Sequence, residues 1–228
     1  LHIGYGIPDF GTEGWDDDLT GDPKLDEYYL TERLRSVVKW INENKEDYNI
    51  RFVAVLGDVT DTAEQSEFLK IKGILDELDL PYFPIVGNHD VCPYIQRPGE
   101  TYPLIDRIRY ETEGEISREY FREVFNDTFF EQFDNLGTPW DPQLDSSFFN
   151  YAFKYKGIKF VCLDTTTDEH AILYFAGVKP GGKLSEETKR FLENDLPGEE
   201  PVVIFSHHPF YFDPSHQYAF NSSHISDF

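Results

Sequence analysis

Three short apolar segments that each end in polar, ligand-type side chains constrain the fold of this chain more than any other feature. Residues 83–86 are apolar, and Gly87-Asn88-His89-Asp90 follows them directly. The apolar residues suit a strand covered on both faces, and Gly87 lets the backbone turn sharply after it. The same order occurs at 52–56 before Gly57-Asp58 and at 202–205 before Ser206-His207-His208-Pro209. Ligands bind at the carboxyl ends of strands in open α/β sheets, so the sequence predicts a site there.

The stretches between these segments indicate helices that alternate with strands. Apolar side chains at helical spacing predict one helix over roughly 24–46 and another around 68–78, which lies between strands at 50–56 and 82–86. A strand, helix and strand with short connections give parallel pairing and a right-handed crossover. Residues 148–155 and 158–163 predict a β-hairpin, and Ser185 can cap a helix that Pro197-Gly198 ends. The pattern is that of an α/β protein. The residues that mark the first two helices are Leu30, Leu34, Val37, Val38, Ile41, Phe68, Ile71, Ile74, Leu75 and Leu78.

The length of 228 residues fits a single domain over 1–228, and no composition shift requires a boundary. Residues 91–147 contain several prolines and no clean periodicity apart from a predicted helix at 115–125, so we expect an irregular insertion at the rim of the site. The chain begins at Leu1 and contains no methionine, and we therefore expect a trimmed or incompletely represented fragment.

The charge balance excludes some classes of partner. With 43 acidic and 20 basic side chains the formal net charge is −23. This charge argues against general binding of nucleic acid, because phosphate neutralisation needs clustered Lys and Arg. Bound divalent cations would reverse this charge locally and attract a phosphate group.

No apolar run reaches the length of a membrane-spanning helix. Cys92 and Cys162 are too few for a disulfide framework, and Cys162 is predicted to pack within a strand.

The side chains at the three strand ends form a donor set typical of a metal site. Carboxylate, amide and imidazole groups together suit Mn, Fe, Zn or Co better than soft, thiolate-seeking ions. A carboxylate can bridge two such ions, and an ion pair of this kind provides hydroxide near neutral pH for an in-line phosphoryl displacement. His170, His216 and His224 have no comparable context and are predicted to be surface histidines. The candidate site residues are His2, Asp58, Asn88, His89, Asp90, His207 and His208.

These motifs, in this order and each after an apolar strand, resemble those of the calcineurin-like metallophosphoesterases. Gly57 precedes Gly87 by 30 residues, the separation typical of that family's Gly-Asp and Gly-Asn-His-Asp motifs. Leu1-His2-Ile3-Gly4 resembles the end of its first motif, Asp-x-His-x-Gly. The resemblance implies a four-layer α/β/β/α sandwich with mixed sheets and outer helices. It also implies a metal-dependent phosphatase or phosphodiesterase that acts on a small phosphoester through a hydroxide bridging two divalent ions.

The resemblance also assigns roles to individual residues. Asp58 would bridge the two ions, His2 would bind the first, and Asn88 and His207 would bind the second. His89 would act as general acid on the leaving oxygen, and Asp90 would orient His89 and favour its charged form. His208 would contact the substrate, or it would contact a metal ligand without binding a metal itself. The list of metal ligands is therefore His2, Asp58, Asn88 and His207, and the list of catalytic residues is His89 and Asp90.

The chain departs from the family pattern at two motifs. It lacks the first-motif Asp and the late Gly-His-x-His motif, and we attribute both departures to trimming, one at each end of the chain. Pro8-Asp9-Phe10-Gly11 is a competing first motif, similar to that of the purple acid phosphatases, but the glycines and proline before it make a poor strand. Two alternatives remain beside a phosphoester hydrolase of small substrates: a nuclease of the same family, and an inactive binding or scaffold domain that has kept the fold.

Overall fold

A computed structural model describes residues 1–3, 30–61, 63, 65–91, 118–126, 132, 149–166, 182–195 and 200–210. These residues form helices and two β-sheets, which confirms the α/β class; the four-layer arrangement stays a prediction. Residues 118–126 are helical and agree with the helix predicted at 115–125. The named elements are α1 (Leu30–Asn44), β1 (Val53–Leu56), α2 (Gln65–Leu75), β2 (Tyr82–Ile85), α3 (Asn88–Val91), β3 (Tyr151–Tyr155), β4 (Ile158–Leu163), α4 (Glu186–Asp195) and β5 (Val202–Ser206).

The first sheet consists of β1 and β2, which run parallel with Val53 opposite Tyr82 and Leu56 opposite Ile85. α2 connects the two strands, as predicted, and buries Phe68 completely. Because the strands are parallel, their carboxyl ends lie at the same edge of the sheet. The loops that begin at Gly57 and Gly87 therefore start side by side.

The first three residues of the chain lie along the loop that follows β1. Ile3 forms a parallel bridge with Thr60, and the His2 backbone N–H donates to the Asp58 carbonyl oxygen at 2.8 Å. Ile3 is fully buried. This pairing carries His2 to the carboxyl end of β1, although the sequence shows no strand around it.

The second sheet has the order β3, β4, β5, with an antiparallel hairpin followed by a parallel pair. Lys156 and Gly157 both have positive φ values, 50° and 79°, in the two-residue turn of the hairpin. Leu163 pairs with Ser206, so the residues that follow β4 and β5 leave the sheet together.

Aromatic side chains join the two sheets. Phe83 of β2 stacks on Phe153 of β3 with 4.3 Å between ring centroids, and Phe153 stacks on Phe160 of β4 at 5.2 Å. The Tyr151 hydroxyl donates to the Pro84 carbonyl oxygen at 2.8 Å, so a buried hydrogen bond also crosses the interface. Cys162 is fully buried in β4, as predicted for a packing residue. The shared core therefore fixes β2, β3 and β4 relative to one another, and β5 is held by its pairing with β4.

α1 departs from the prediction at one position. Leu34 and Val38 are buried, but Val37, which we placed on the apolar face, is 52% exposed. Residues four apart on a helix share a face, whereas a residue one position away points about 100° aside.

No helix among the described residues has the length and apolarity needed to cross a membrane.

Several predictions concern residues outside the described part of the chain. These are the start of the 24–46 helix, the Asp9 motif, most of the 91–147 insertion and the prediction for His170, His216 and His224.

Candidate metal centre

Two glycines let the loops after β1 and β2 touch. Gly57 has a φ of 81° and Asp58 one of 48°, so the chain turns through a conformation that favours glycine and that Asp tolerates. A Cβ built on Gly87 would lie 2.2 Å from the Asp58 nitrogen and 2.3 Å from Asp58 Oδ1. A Cβ on Gly57 would lie 2.7 Å from His207 Nδ1. Any larger residue at either position would push the loops apart.

The Asp58 carboxylate lies between two imidazole rings that come from opposite ends of the chain. Its Oδ2 is 3.4 Å from His2 Nε2 and 3.3 Å from His207 Nε2. Its Oδ1 accepts the backbone N–H of His89 at 3.0 Å. One carboxylate therefore connects the loops after β1, β2 and β5 with the first residues of the chain.

His207 presents one nitrogen to this centre and uses the other to hold its ring. Nδ1 lies 2.9 Å from the Leu56 carbonyl oxygen, which can only accept, so Nδ1 carries the hydrogen. Nε2 lies 3.1 Å from Asn88 Oδ1 and faces Asp58 Oδ2 as well. A ligating histidine is commonly held by a bond of this kind from its second nitrogen to a carbonyl oxygen.

Asp61 contacts both of the other histidines. Its Oδ1 lies 3.2 Å from His2 Nδ1 and 3.5 Å from His89 Nδ1, and its carbonyl oxygen lies 2.8 Å from His89 Nδ1. The rings of His2 and His89 meet edge to face with 4.5 Å between centroids. One ligand atom from each of His2, Asp58 and His89 lies within 4.8 Å of the others. Asp61 was assigned no role from the sequence, although it follows Asp58 by three residues in the same loop.

Asp90 lies beneath the centre and is fully buried. Its Oδ1 accepts the Thr60 backbone N–H and the Thr60 hydroxyl, each at 2.9 Å, and its Oδ2 accepts the Gly87 backbone N–H at 2.8 Å. The orientation of His89 by Asp90 stays a prediction, while the polar contacts of the His89 ring described above are with Asp61.

His208 packs edge to face against His207 with 4.9 Å between ring centroids, and it also contacts the residues that follow β4. It is 2% exposed, and its Nδ1 lies 3.0 Å from the Thr165 hydroxyl oxygen. The Ser206 hydroxyl donates to the His208 carbonyl oxygen at 2.8 Å. These bonds fix the turn after β5 and with it the position of His207.

Comparison with known proteins agrees with this geometry. Residues 19–228 match the family described as calcineurin-like phosphoesterase. The chain belongs to the calcineurin-like phosphoesterase family. It is also 26% identical over 181 residues to a probable cyclic nucleotide phosphodiesterase of Rhodopseudomonas palustris. That match covers 78% of this chain and 48% of the relative, so the chain spans about half the length of the curated relative it matches.

The electrostatics of this calcineurin-like site favour positive charge beside Asp58. Burial alone would raise the pKa of Asp58, but the hydrogen bond to His207 and the charges of His207 and His89 lower it below its usual range. Burial likewise opposes the charged form of His207, yet the bond to Asp58 and its negative charge raise the His207 pKa. Burial lowers the pKa of His89, and the charge of Asp58 acts in the opposite direction. For Asp90, burial and the charge of Asp58 raise the pKa.

The donor set fits divalent cations. Asn88 Oδ1 and Asp58 Oδ2 lie 3.1 and 3.3 Å from His207 Nε2, and a neutral His207 with its hydrogen on Nδ1 offers a lone pair at that nitrogen beside the two oxygens. Ligands bound at about 2.1 Å with angles between about 90° and 109° lie about 3.0–3.4 Å apart, so these distances suit a shared cation. The 3.4 Å between His2 Nε2 and Asp58 Oδ2 suits a second one.

Proposed function

We propose that this chain contributes the metal-binding site of a metal-dependent phosphoester hydrolase. The observation that carries the proposal is the position of Asp58 Oδ2 between His2 Nε2 and His207 Nε2 at 3.4 and 3.3 Å. A carboxylate with ligand nitrogens on both sides suits a bridge between two ions. Membership of the calcineurin-like phosphoesterase family supports the same activity.

The residues that would hold the ions divide into two groups that share Asp58. His2 and Asp58 would hold the first ion, and Asp58, Asn88 and His207 would hold the second. Mn, Fe, Zn and Co all accept these oxygen and imidazole ligands. When bound, such an ion pair supplies a water of lowered pKa as nucleophile and neutralises the charge of the phosphate.

His89 is proposed to donate the proton to the departing oxygen. Its Nδ1 is held by the Asp61 carbonyl oxygen at 2.8 Å, so Nε2 would be the atom that gives the proton to the leaving group. The Asp61 carboxylate, 3.5 Å from Nδ1, favours the imidazolium form that can give up a proton. Burial opposes that form, which keeps the proton from being held too tightly.

The substrate we propose is a small phosphodiester. The relative from Rhodopseudomonas palustris is a probable cyclic nucleotide phosphodiesterase, and a cyclic nucleotide contains one phosphodiester group. The net charge of −23 disfavours long nucleic acid, whose many phosphates would be repelled. The nuclease alternative would require a basic groove that the composition does not favour.

The experiment compares bis-p-nitrophenyl phosphate with p-nitrophenyl phosphate in Mn²⁺ for the wild type, His89→Ala and Lys39→Ala. Lys39 is an exposed residue of α1 and serves as the control. We expect a preference for the diester and a loss of turnover of about 10²–10⁴-fold in His89→Ala, the range for a missing general acid. Turnover in His89→Ala equal to wild type would remove this residue from the mechanism, and an inactive wild type that binds no Mn²⁺ would favour a scaffold.

A further inference from the structure

Asp90 makes contacts that the reaction described above does not use. Its carboxylate is fully buried, and its two oxygens accept three hydrogen bonds at 2.8–2.9 Å. Two of the donors belong to Thr60, in the loop after β1, and the third is the Gly87 backbone N–H, at the end of β2. The partners are separated by up to 30 residues along the chain, so the contacts join two different loops.

The two loops joined by Asp90 carry the ligands Asp58 and Asn88. Asp58 lies two residues before Thr60, and Asn88 directly follows Gly87. In the first loop Asp58 adopts the left-handed region with a φ of 48°, which is sparsely populated for residues other than glycine. Backbone strain of this kind persists only where surrounding contacts over-determine the conformation. The three bonds to Asp90 are contacts of that type.

We infer that Asp90 is a positioning residue whose buried carboxylate clamps the Thr60 and Gly87 backbones together and so sets the distance between the ligands Asp58 and Asn88. The inference rests on the proposed function, because it gives Asp90 a task in holding the cations. It differs from the role predicted from the sequence, in which Asp90 acts on the His89 ring. Thr60 shares the task, since its hydroxyl and its N–H both donate to the same oxygen.

The substitution Asp90→Asn tests the clamp with little change in shape. An amide group replaces one accepting oxygen by a donor, so one of the N–H groups of Thr60 or Gly87 would face another donor. Loss of a residue that holds metal ligands in place commonly weakens metal affinity about 10–100-fold. We expect Asp90→Asn to raise the Mn²⁺ Kd by about this factor, measured by isothermal titration calorimetry. Turnover should recover when Mn²⁺ is raised in proportion.

Two further comparisons keep the result decisive. Thr60→Val removes one of the three hydrogen bonds to Asp90 and should weaken Mn²⁺ binding. Thr60→Ser keeps the hydroxyl and should bind Mn²⁺ like wild type. These two variants test the inference if Asp90→Asn does not fold. Asp76→Asn removes a carboxylate that accepts the Tyr82 hydroxyl at 2.7 Å, and it should leave the Kd unchanged.

The inference is overturned if Asp90→Asn or Thr60→Val binds Mn²⁺ with wild-type affinity. A loss of turnover that persists at saturating Mn²⁺ with an unchanged Kd would show instead that Asp90 acts on His89. Wild-type protein that binds no Mn²⁺ would refute the proposed function itself, a result distinct from both.

Discussion

Replacing Gly87 by Ala tests how closely the ligand loops must approach. The new Cβ would lie 2.2 Å from the Asp58 nitrogen, while ordinary contact begins at 3.4 Å. The two backbones would have to separate by roughly 1 Å, which carries the Asp58 carboxylate away from Asn88. The effect is one of space, because the φ of Gly87 does not lie in the left-handed region.

The expected cost has two parts. Overpacking of a buried contact destabilises a protein by about 1–3 kcal/mol. A displacement of about 1 Å in a catalytic group can lower turnover about 10²-fold. Gly87→Ala should therefore lower the free energy of unfolding and weaken Mn²⁺ binding. The loss of Mn²⁺ affinity should be larger than the destabilisation alone would cause.

Two other glycines of the same chain are matched controls. Gly73 lies on an exposed face of α2 with nothing within 4 Å of a built Cβ, so Gly73→Ala should stabilise the protein by about 0.5–1 kcal/mol. Gly157 has a φ of 79° and open space around it, so Gly157→Ala should cost about 1–2 kcal/mol without affecting the metal site.

Urea unfolding gives the stability of each variant, and calorimetric titration with Mn²⁺ gives its affinity. We expect a weakened Mn²⁺ affinity in Gly87→Ala and in neither control. Wild-type Mn²⁺ affinity in Gly87→Ala would refute this expectation, because Asp58 could then move without consequence. So would an equal loss of affinity in Gly157→Ala, since backbone strain far from the site would then produce the same result.

The remaining predictions concern Asp61, His207 and Tyr151. Asp61→Asn should weaken Mn²⁺ binding about 10-fold, because the carboxylate that holds His2 is lost while the carbonyl oxygen that holds His89 is kept; unchanged titration would exclude this support. His207→Ala should lower the Mn²⁺ stoichiometry measured on the dialysed protein, and full stoichiometry would show that His207 is not a ligand. Tyr151→Phe should cost about 1–3 kcal/mol in urea unfolding, because it leaves the buried Pro84 carbonyl oxygen without this donor, with Mn²⁺ affinity retained; a neutral effect would mean that water replaces the hydroxyl.

Local sequence signals predicted the elements that carry the site. The apolar run before Gly57 and the one before Gly87 each form a strand, and the two strands pair in parallel, as expected for a short crossover. The Lys156-Gly157 hairpin and the Ser185 cap are also present, the latter with the Thr188 N–H donating to Ser185 Oγ at 3.0 Å. These features depend on a few adjacent residues, and turn or cap chemistry specifies them directly.

The contacts between distant segments could not be predicted in this way. His2 reaches the site because Ile3 pairs with Thr60, and no pattern around residue 3 announces a partner 57 residues away. Asp61 and Asp90 follow ligand motifs at similar distances, yet the fold directs one towards the His89 ring and the other beneath the loops. Such orientations depend on tertiary packing, which single-sequence reasoning does not reach.

Anomalous diffraction from crystals of the protein soaked in Mn²⁺ would locate the ions themselves. We expect one peak coordinated by Asp58, Asn88 and His207 and a second that shares Asp58 with His2. At saturating Mn²⁺, the absence of a peak at Asp58 would contradict this two-ion arrangement. So would an ion bound to Asp58 that contacts neither His2 nor His207.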